Sequence, residues 1–145
     1  LDVFKRSALW VMMQIAPGSR LSGRGLNAKP SDNEQMLIAL GRDPYVVKTT
    51  RVDALYGLTD LMEAAWQSAS AVRVPTMVLY AEADQVVPSQ PILDAARAMP
   101  GTKQVVCYHD GFHMLLRDTK GERAWAAIEE FIGGRGASLG CAEKG

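Results

Sequence analysis

Two side chains of this 145-residue sequence stand where proton-transfer chemistry could be done, Asp84 and His113. Each follows a short apolar run rich in strand formers, 76–80 before the acid and 104–108 before the histidine. A carboxylate that accepts a hydrogen bond from one imidazole nitrogen sets the tautomer and stabilises the imidazolium. The other nitrogen is then able to take a proton from a nucleophile. The two residue types therefore predict an orienting acid, Asp84, and a general base, His113.

The elements around the two residues predict that they meet in space. The dipeptide 88–89 indicates the start of a helix with Ser89 as its cap, and 100–101 ends this helix, which separates the two apolar runs. With a last helix over about 121–132, the order strand, helix, strand, helix is typical of a parallel unit with a right-handed crossover. Ligands bind beyond the carboxyl ends of the strands in an open parallel sheet, so both side chains are expected at one edge.

Other residues near the strand ends compete for these roles. Asp84 could be only a turn former, since Asp often bonds its own backbone after a strand. His109 directly follows its strand and we interpret it as structural, whereas Gly111 permits a tight loop that projects His113. Glu82 is close enough to tune the site and is expected to be solvated. The remaining nearby acids have other interpretations: Asp110 lies beside His109, Asp94 lies on a helix, and Asp118 with Arg117 starts the last helix.

The first 72 residues are predicted to be mainly helical. An apolar stripe with helical spacing runs from Phe4 to Ile15, and Pro17 ends it. The segment 31–34 has capping-box spacing, with Ser31 as the cap, before a short helix that Gly41 ends. A longer helix is predicted over about 52–69, and the Gly- and Arg-rich stretch 18–25 is predicted to be a loop.

These patterns divide the chain into three parts. Residues 1–72 form a helical region, residues 73–133 form the strand and helix region, and residues 134–145 form a flexible Gly-rich tail. Two strands as apolar as these require neighbours, so the sheet is expected to be incomplete in this chain.

Composition and charge exclude several classes of function. Sixteen Lys and Arg balance sixteen Asp and Glu, so no basic field attracts nucleic acid. The longest apolar run, 8–13, is far shorter than the roughly 20 residues of a membrane-spanning helix, so no transmembrane segment is expected. Cys107 and Cys141 lack the spacing of a zinc or redox site, which predicts reduced thiols, no metal and a cytoplasmic location.

The order Asp then His is that of the α/β-hydrolases, whose triad runs Ser, Asp, His. Segment 74–88 resembles the acid-bearing strand and turn of this family, with Ala81 where many relatives have Gly, and 111–113 (GFH) resembles its histidine loop. Four further segments resemble the cap of bacterial proteins in the monoacylglycerol lipase and lysophospholipase group: 21–26 (LSGRGL), 32–33 (DN), 41–44 (GRDP) and 50–58 (TRVDALYGL). The resemblance covers about 1–132.

The resemblance implies a fold and an activity. The fold is the C-terminal part of an α/β-hydrolase, a helical cap over 1–72 followed by the last two strands and helices of a parallel sheet. The activity is hydrolysis of a small lipid-like carboxylic ester through an acyl-enzyme, with Asp84 and His113 as triad members and with no metal or organic cofactor. No substrate-binding residue is assigned.

The family's nucleophile lies in a strand-turn-helix elbow before the cap, together with the oxyanion donors. By this alignment the elbow precedes Leu1, so the sequence predicts that this chain is inactive alone. A literal G-x-S-x-G at 136–140 follows the histidine and lacks a preceding strand, and we reject it as the nucleophile. Exposed sheet edges predict self-association or pairing with the missing N-terminal half.

Two alternatives stay open. One is a non-catalytic module that binds lipid or a partner through its apolar helices. The other keeps the fold and changes the reaction to that of a peptidase, a dehalogenase or an epoxide hydrolase, because these share the Asp and His placement.

Overall fold

A computed structural model describes residues 3–23, 28–101, 103–134 and 140–142 of the chain. Two compact units are present, one of residues 1–26 with 43–68 and one of residues 27–42 with 69–145. In chain order the helices are α1 (Val3–Ile15), α2 (Glu34–Arg42), α3 (Val52–Ser68), α4 (Ser89–Ala98) and α5 (Glu122–Ile132), and the strands are β1 (Arg20–Ser22), β2 (Thr49–Arg51), β3 (Thr76–Ala81), β4 (Lys103–Tyr108) and β5 (Gly140–Ala142).

The first unit packs α1 against α3, beside a small sheet of β1 and β2. The predicted helix is present as α1, although the apolar residues of its stripe are exposed, and an ion pair of 3.0 Å joins Arg6 to Asp60 across the two helices. The antiparallel pairing of β1 with β2 was not predicted, since the stretch 18–25 was expected to be a loop. Both strands have three residues, and five of their six side chains are exposed, so they carry no alternating apolar pattern that a sequence could show.

The helix α2 belongs to the second unit, and its start differs from the prediction. Asn33, not Ser31, caps the helix, because its side-chain oxygen Oδ1 accepts the backbone N–H of Met36 at 3.1 Å. The hydroxyl of Ser31 is fully buried and bonds elsewhere. The helix also continues through Gly41 to Arg42. The capping box of the sequence analysis is therefore wrong, although the helix itself is present.

The second unit is built on a parallel sheet in the order β3, β4, β5. The predicted parallel pairing of β3 with β4 is confirmed, with Thr76 opposite Lys103 and Ala81 opposite Tyr108. The strand β5 pairs parallel with the other side of β4, within the tail that was expected to be flexible. Cys107 on β4 is disulfide-bonded, so the prediction of reduced thiols is wrong and the cytoplasmic location loses that support.

The core of the second unit lies between the sheet and α5. Val106, Tyr108 and Ala124 are buried together, with Met77, Leu79 and Leu115 packed against them. Segment 76–80 is only half-buried, which is less than its apolar composition predicts. The helix α4 begins at Ser89 with Pro88 as the capping residue and no side-chain cap, so Ser89 does not have its predicted role.

No helix in the described ranges combines the length and the apolar character that crossing a membrane would require.

Candidate active site

The ends of β3 and β4 bring Asp84 and His113 together. The two strands end side by side, with Ala81 paired with Tyr108, so the loops that follow them leave the sheet at the same edge. Oδ2 of Asp84 lies 3.0 Å from Nδ1 of His113. The proximity expected from the parallel arrangement is therefore present.

The carboxylate of Asp84 makes two different sets of contacts. Its Oδ1 accepts the backbone N–H groups of Val86 at 2.7 Å and Val87 at 3.0 Å, while its Oδ2 faces the imidazole of His113. One oxygen thus closes the turn and the other holds the ring. The two interpretations of this residue, turn former and imidazole partner, are both satisfied by one side chain.

The acidity of Asp84 follows from these contacts. Burial of the carboxylate raises its pKa, and the hydrogen bonds from the Val87 amide, the imidazole and the Val86 amide lower it. The hydrogen bonds outweigh burial, so the pKa of Asp84 lies below its ordinary value of 3.8. The side chain is consequently a carboxylate at neutral pH.

An ionised Asp84 determines the tautomer of His113. A carboxylate can only accept hydrogen bonds, so Nδ1 of the ring must donate the proton between them. In the neutral ring Nε2 then carries a lone pair, and no other hydrogen-bond partner of this ring lies within the described residues. The side chain of His113 is 39% exposed against 10% for that of Asp84, so the ring remains partly accessible beside the largely buried carboxylate. The arrangement is able to accept a proton from a nucleophile.

The loop that carries His113 depends on close packing at Gly111. A Cβ added there would lie 2.7 Å from Leu115 Cδ1, 3.0 Å from Tyr108 Cβ and 3.1 Å from Ala81 Cβ. The φ angle of Gly111 is not positive. Glycine is therefore required for space and not for an unusual backbone conformation, which refines the role that the sequence suggested.

Two acid residues outside the pair anchor the same loop, and the sequence analysis assigned neither of them to the site. Oδ2 of Asp118 accepts the backbone N–H of Phe112 at 2.7 Å, and Oδ1 accepts the hydroxyl of Ser31 at 2.6 Å. Asp32 accepts the backbone N–H of Thr119 at 2.8 Å and also its hydroxyl. Ser31 and Asp118 are 87 residues apart, so no local signal could have joined them.

His109 forms a second pair with a carboxylate. Its Nδ1 lies 2.5 Å from Oε2 of Glu82. The carboxylate of Glu82 is therefore paired with His109 and is also partly exposed to solvent, as expected. The donor atoms of Glu82, Cys107 and His109 lie within 4.8 Å of one another. Because Cys107 is disulfide-bonded, it offers no thiolate, and this cluster does not form a metal centre.

Asp110 is engaged away from the pair. Hydrogen bonds from Arg123 at 2.7 Å and Lys120 at 3.0 Å lower the pKa of Asp110 to about 2. This ion-paired acid ties the end of β4 to the start of α5. Its interpretation as a residue outside the site agrees with these contacts.

Two cavities meet at His113. The larger has a volume of about 530 Å³ and is mainly apolar. A smaller one, of about 200 Å³, reaches Asp84. The larger cavity is lined by Leu79, His113, Met114, Leu115, Leu116 and Arg117. The imidazole therefore borders a space that suits an apolar ligand.

The rejected G-x-S-x-G falls on 136–140, of which 136–139 lie outside the described residues. Within the described ranges no serine or cysteine side chain is hydrogen-bonded to His113. The described part of the site thus pairs one carboxylate with one imidazole, and no serine or cysteine side chain of that part completes the pair.

Comparison with known proteins gives one family and several similar structures. A family model described as serine aminopeptidase, S33 (Hydrolase_4) matches residues 1–120. The monoacylglycerol lipase of Paleococcus ferrophilus is similar with a TM-score of 0.78 and 22% identity, over 93% of this chain and 53% of that one. A soluble variant of monoglyceride lipase from Saccharomyces cerevisiae, crystallised with a substrate analogue, has a TM-score of 0.73 and 12% identity, over 92% and 50%.

The chain spans about half the length of these lipase structures. No significant match is found among curated protein sequences. The structural likeness confirms the predicted fold class, part of an α/β-hydrolase with a parallel strand pair.

Proposed function

We propose, for a chain that belongs to the serine aminopeptidase S33 family of α/β-hydrolases, that Asp84 and His113 are the acid and the base of a serine hydrolase triad. The observation that carries this proposal is the 3.0 Å hydrogen bond between Oδ2 of Asp84 and Nδ1 of His113, formed at the adjacent ends of parallel strands. The exposure of the ring and the cavities beside it further support it.

The proposed reaction is hydrolysis of an ester through an acyl-enzyme. Nε2 of His113 takes the proton of a serine hydroxyl as the serine oxygen attacks the carbonyl carbon. The tetrahedral intermediate collapses, and the imidazolium gives its proton to the departing alcohol. Water then attacks the acyl-enzyme by the same two proton transfers and releases the acid. Asp84 stays ionised throughout and stabilises the imidazolium.

The serine and the oxyanion donors of this proposal lie outside the described residues. The lipase structures have about twice the length of this chain, and the proposal seeks both groups in that additional length. Without them neither covalent catalysis nor stabilisation of the oxyanion is available. The chain alone is consequently expected to show no esterase turnover.

The proposed substrate class is a small lipid-like ester such as a monoacylglycerol or a lysophospholipid. The larger cavity beside His113 is lined mostly by aliphatic side chains, which suit a fatty acyl chain. Both lipases named above act, by their names, on monoacylglycerol-type lipids.

Peptide hydrolysis is a second candidate, because the matching family model is described as a serine aminopeptidase. The same acid and base would serve it. Cleavage of aminoacyl anilides in preference to fatty acyl esters would favour this candidate.

The test uses the protein encoded when the reading frame is extended upstream of residue 1. We expect it to cleave p-nitrophenyl esters, with long acyl chains preferred over acetate, while the 145-residue chain does not. His113→Ala is expected to lower kcat by at least about 10³-fold, because the proton acceptor is lost. His109→Ala is the matched control, since this histidine has its own carboxylate partner outside the site.

Three outcomes would overturn the proposal. They are turnover by the 145-residue chain that His113→Ala abolishes, full activity of His113→Ala in the extended protein, and an in-frame stop codon directly upstream. Equal losses in both histidine variants would also count against the assignment of the base.

A further inference from the structure

A short segment of the second unit, residues 29–33, contacts both loops of the candidate site, and we call it the strap. The backbone N–H of Lys29 donates to Oε1 of Gln85, the residue after Asp84, at 3.0 Å. The carbonyl oxygen of Pro30 accepts the backbone N–H of Met114, the residue after His113, at 2.9 Å. The strap therefore links two loops. One is the acid-bearing loop, residues 82–88 between β3 and α4, and the other is the histidine loop, residues 109–121 between β4 and α5.

The strap is also joined to the histidine loop through the side chain of Asp118. Its Oδ1 accepts the hydroxyl of Ser31 at 2.6 Å, and its Oδ2 accepts the backbone N–H of Phe112 at 2.7 Å. Ser31 is fully buried, and its oxygen also accepts the backbone N–H of Asn33 at 3.2 Å. The buried hydroxyl of Ser31 orients the carboxylate of Asp118, because breaking their hydrogen bond would leave a buried polar group unpaired.

We propose that Asp118, oriented by Ser31, is the positioning residue of His113. This inference rests on the proposed function, since it concerns the ring assigned there as the base. Asp118 holds the backbone N–H of Phe112, the residue immediately before His113, so the contact fixes the stretch of backbone from which the side chain of His113 projects. Among the described residues Asp84 is the one hydrogen-bond partner of the ring, and the side chain of His113 is 39% exposed, so the geometry of the ring depends on the loop backbone.

The chemical consequence is a matter of distance. Proton transfer needs Nε2 within hydrogen-bond reach of the nucleophile, and a misplacement of about 1 Å can cost about 10²-fold in rate. Loss of the Asp118 contact also lets Nδ1 move from Oδ2 of Asp84. The hydrogen bond between Nδ1 and Asp84 determines the tautomer of His113, so the tautomer measures how well the ring is positioned.

The structure supplies a matched control in Asp32. This residue also joins the strap to the histidine loop, through the backbone N–H and the hydroxyl of Thr119. It makes no hydrogen bond to 112 or 113 among those of the described residues. A merely structural role for Asp118 would make the two acids equivalent in their effect on His113.

The experiment measures the imidazole nitrogen shifts of the full 145-residue chain by NMR, at a pH where the ring is neutral. The wild-type chain is expected to hold His113 as the Nδ1–H tautomer. In Asp118→Ala the Nε2–H tautomer becomes the majority, whereas Asp32→Ala keeps the wild-type signal. Asp118→Asn is expected to restore most of the Nδ1–H form, because its amide oxygen can accept the Phe112 N–H. His109→Gln assigns the two histidines.

Ser31→Ala keeps the test decisive if Asp118→Ala does not fold. It removes only the hydroxyl that orients Asp118, and it is expected to shift the tautomer in the same direction by a smaller fraction. Wild-type signals in Ser31→Ala and in any folded Asp118→Ala would overturn the proposal, as would equal shifts in Asp118→Ala and Asp32→Ala.

The result is separable from the proposed function. Absence of esterase activity in the extended protein, with the tautomer changes as expected, would leave Asp118 as the positioning residue of a ring with another role. Esterase activity with an unchanged tautomer in the Asp118 and Ser31 variants would overturn the positioning role alone.

Discussion

The two oxygens of Asp84 perform separate tasks, and this separation allows structure and chemistry to be tested independently. Oδ1 closes the turn with two backbone N–H groups, and Oδ2 holds the ring of His113. Any substitution that keeps one oxygen can preserve the turn while changing what faces the imidazole.

Asp84→Asn is the substitution that separates the two tasks. Its amide oxygen can keep the turn, but its NH₂ group then faces Nδ1 and selects the Nε2–H tautomer, which cannot accept a proton at Nε2. We expect kcat of the extended protein to fall by about 10⁴-fold. The free energy of unfolding of the chain, measured with urea, should fall less than in Asp84→Ala, because the amide oxygen keeps the turn while the stabilisation from the charged carboxylate is lost.

Asp84→Ala is the comparison for that variant. It removes both oxygens, so it should lower the activity and destabilise the turn. An Asn variant as destabilised as the Ala variant would contradict the division of roles between the oxygens.

At the scale of elements, steric packing around Gly111 fixes the histidine loop as much as hydrogen bonds do. Gly111 lies against β3, β4 and the turn at Leu115–Arg117, where a methyl group has no room. Overpacking of this kind forces neighbouring groups to move, and two of the contacted atoms are Cβ atoms that move only with the backbone.

Gly111→Ala is therefore expected to lower the free energy of unfolding by about 1 to 3 kcal/mol. Gly57→Ala is the matched control, because Gly57 lies inside α3 with no atom within 4 Å of an added Cβ. The control should gain roughly 0.5 to 1 kcal/mol, since alanine is the better helix former. Urea unfolding of both variants measures this, and equal effects would refute the steric explanation.

At the scale of the whole molecule, the acids of the second unit predict how stability depends on pH. The pKa values of Asp32, Asp84 and Asp110 are all lowered in the folded chain, that of Asp110 to about 2. A lowered folded pKa stabilises the fold at pH values above the unfolded value of about 3.9, and this contribution is lost as pH falls.

The free energy of unfolding should consequently fall between about pH 4 and pH 2. Asp110→Asn should be less stable at neutral pH and should show a shallower fall, because the bonds from Arg123 and Lys120 are weakened at every pH. Urea titrations at several pH values measure both slopes. Parallel slopes in the two proteins would contradict the contribution of Asp110.

Most of the regular elements could be predicted because their signals are local. Neighbouring residues of the sequence are enough to show the helical spacing of α1, the apolar run of β3 and the end of the last helix after Ile132. The misassigned caps at Ser31 and Ser89 have one cause, since several adjacent polar residues could cap and only the packed backbone selects one.

The sequence by itself determined the alternation of strands and helices and, through it, the meeting of Asp84 with His113 at one edge. Tertiary structure decided what no local pattern contains: the pairing of β1 with β2, the added strand β5, and the bond from Ser31 to Asp118 across 87 residues. The physical reason is that short strands and single hydrogen bonds have no periodicity. They form only where the folded chain has already brought their partners within reach and removed them from water.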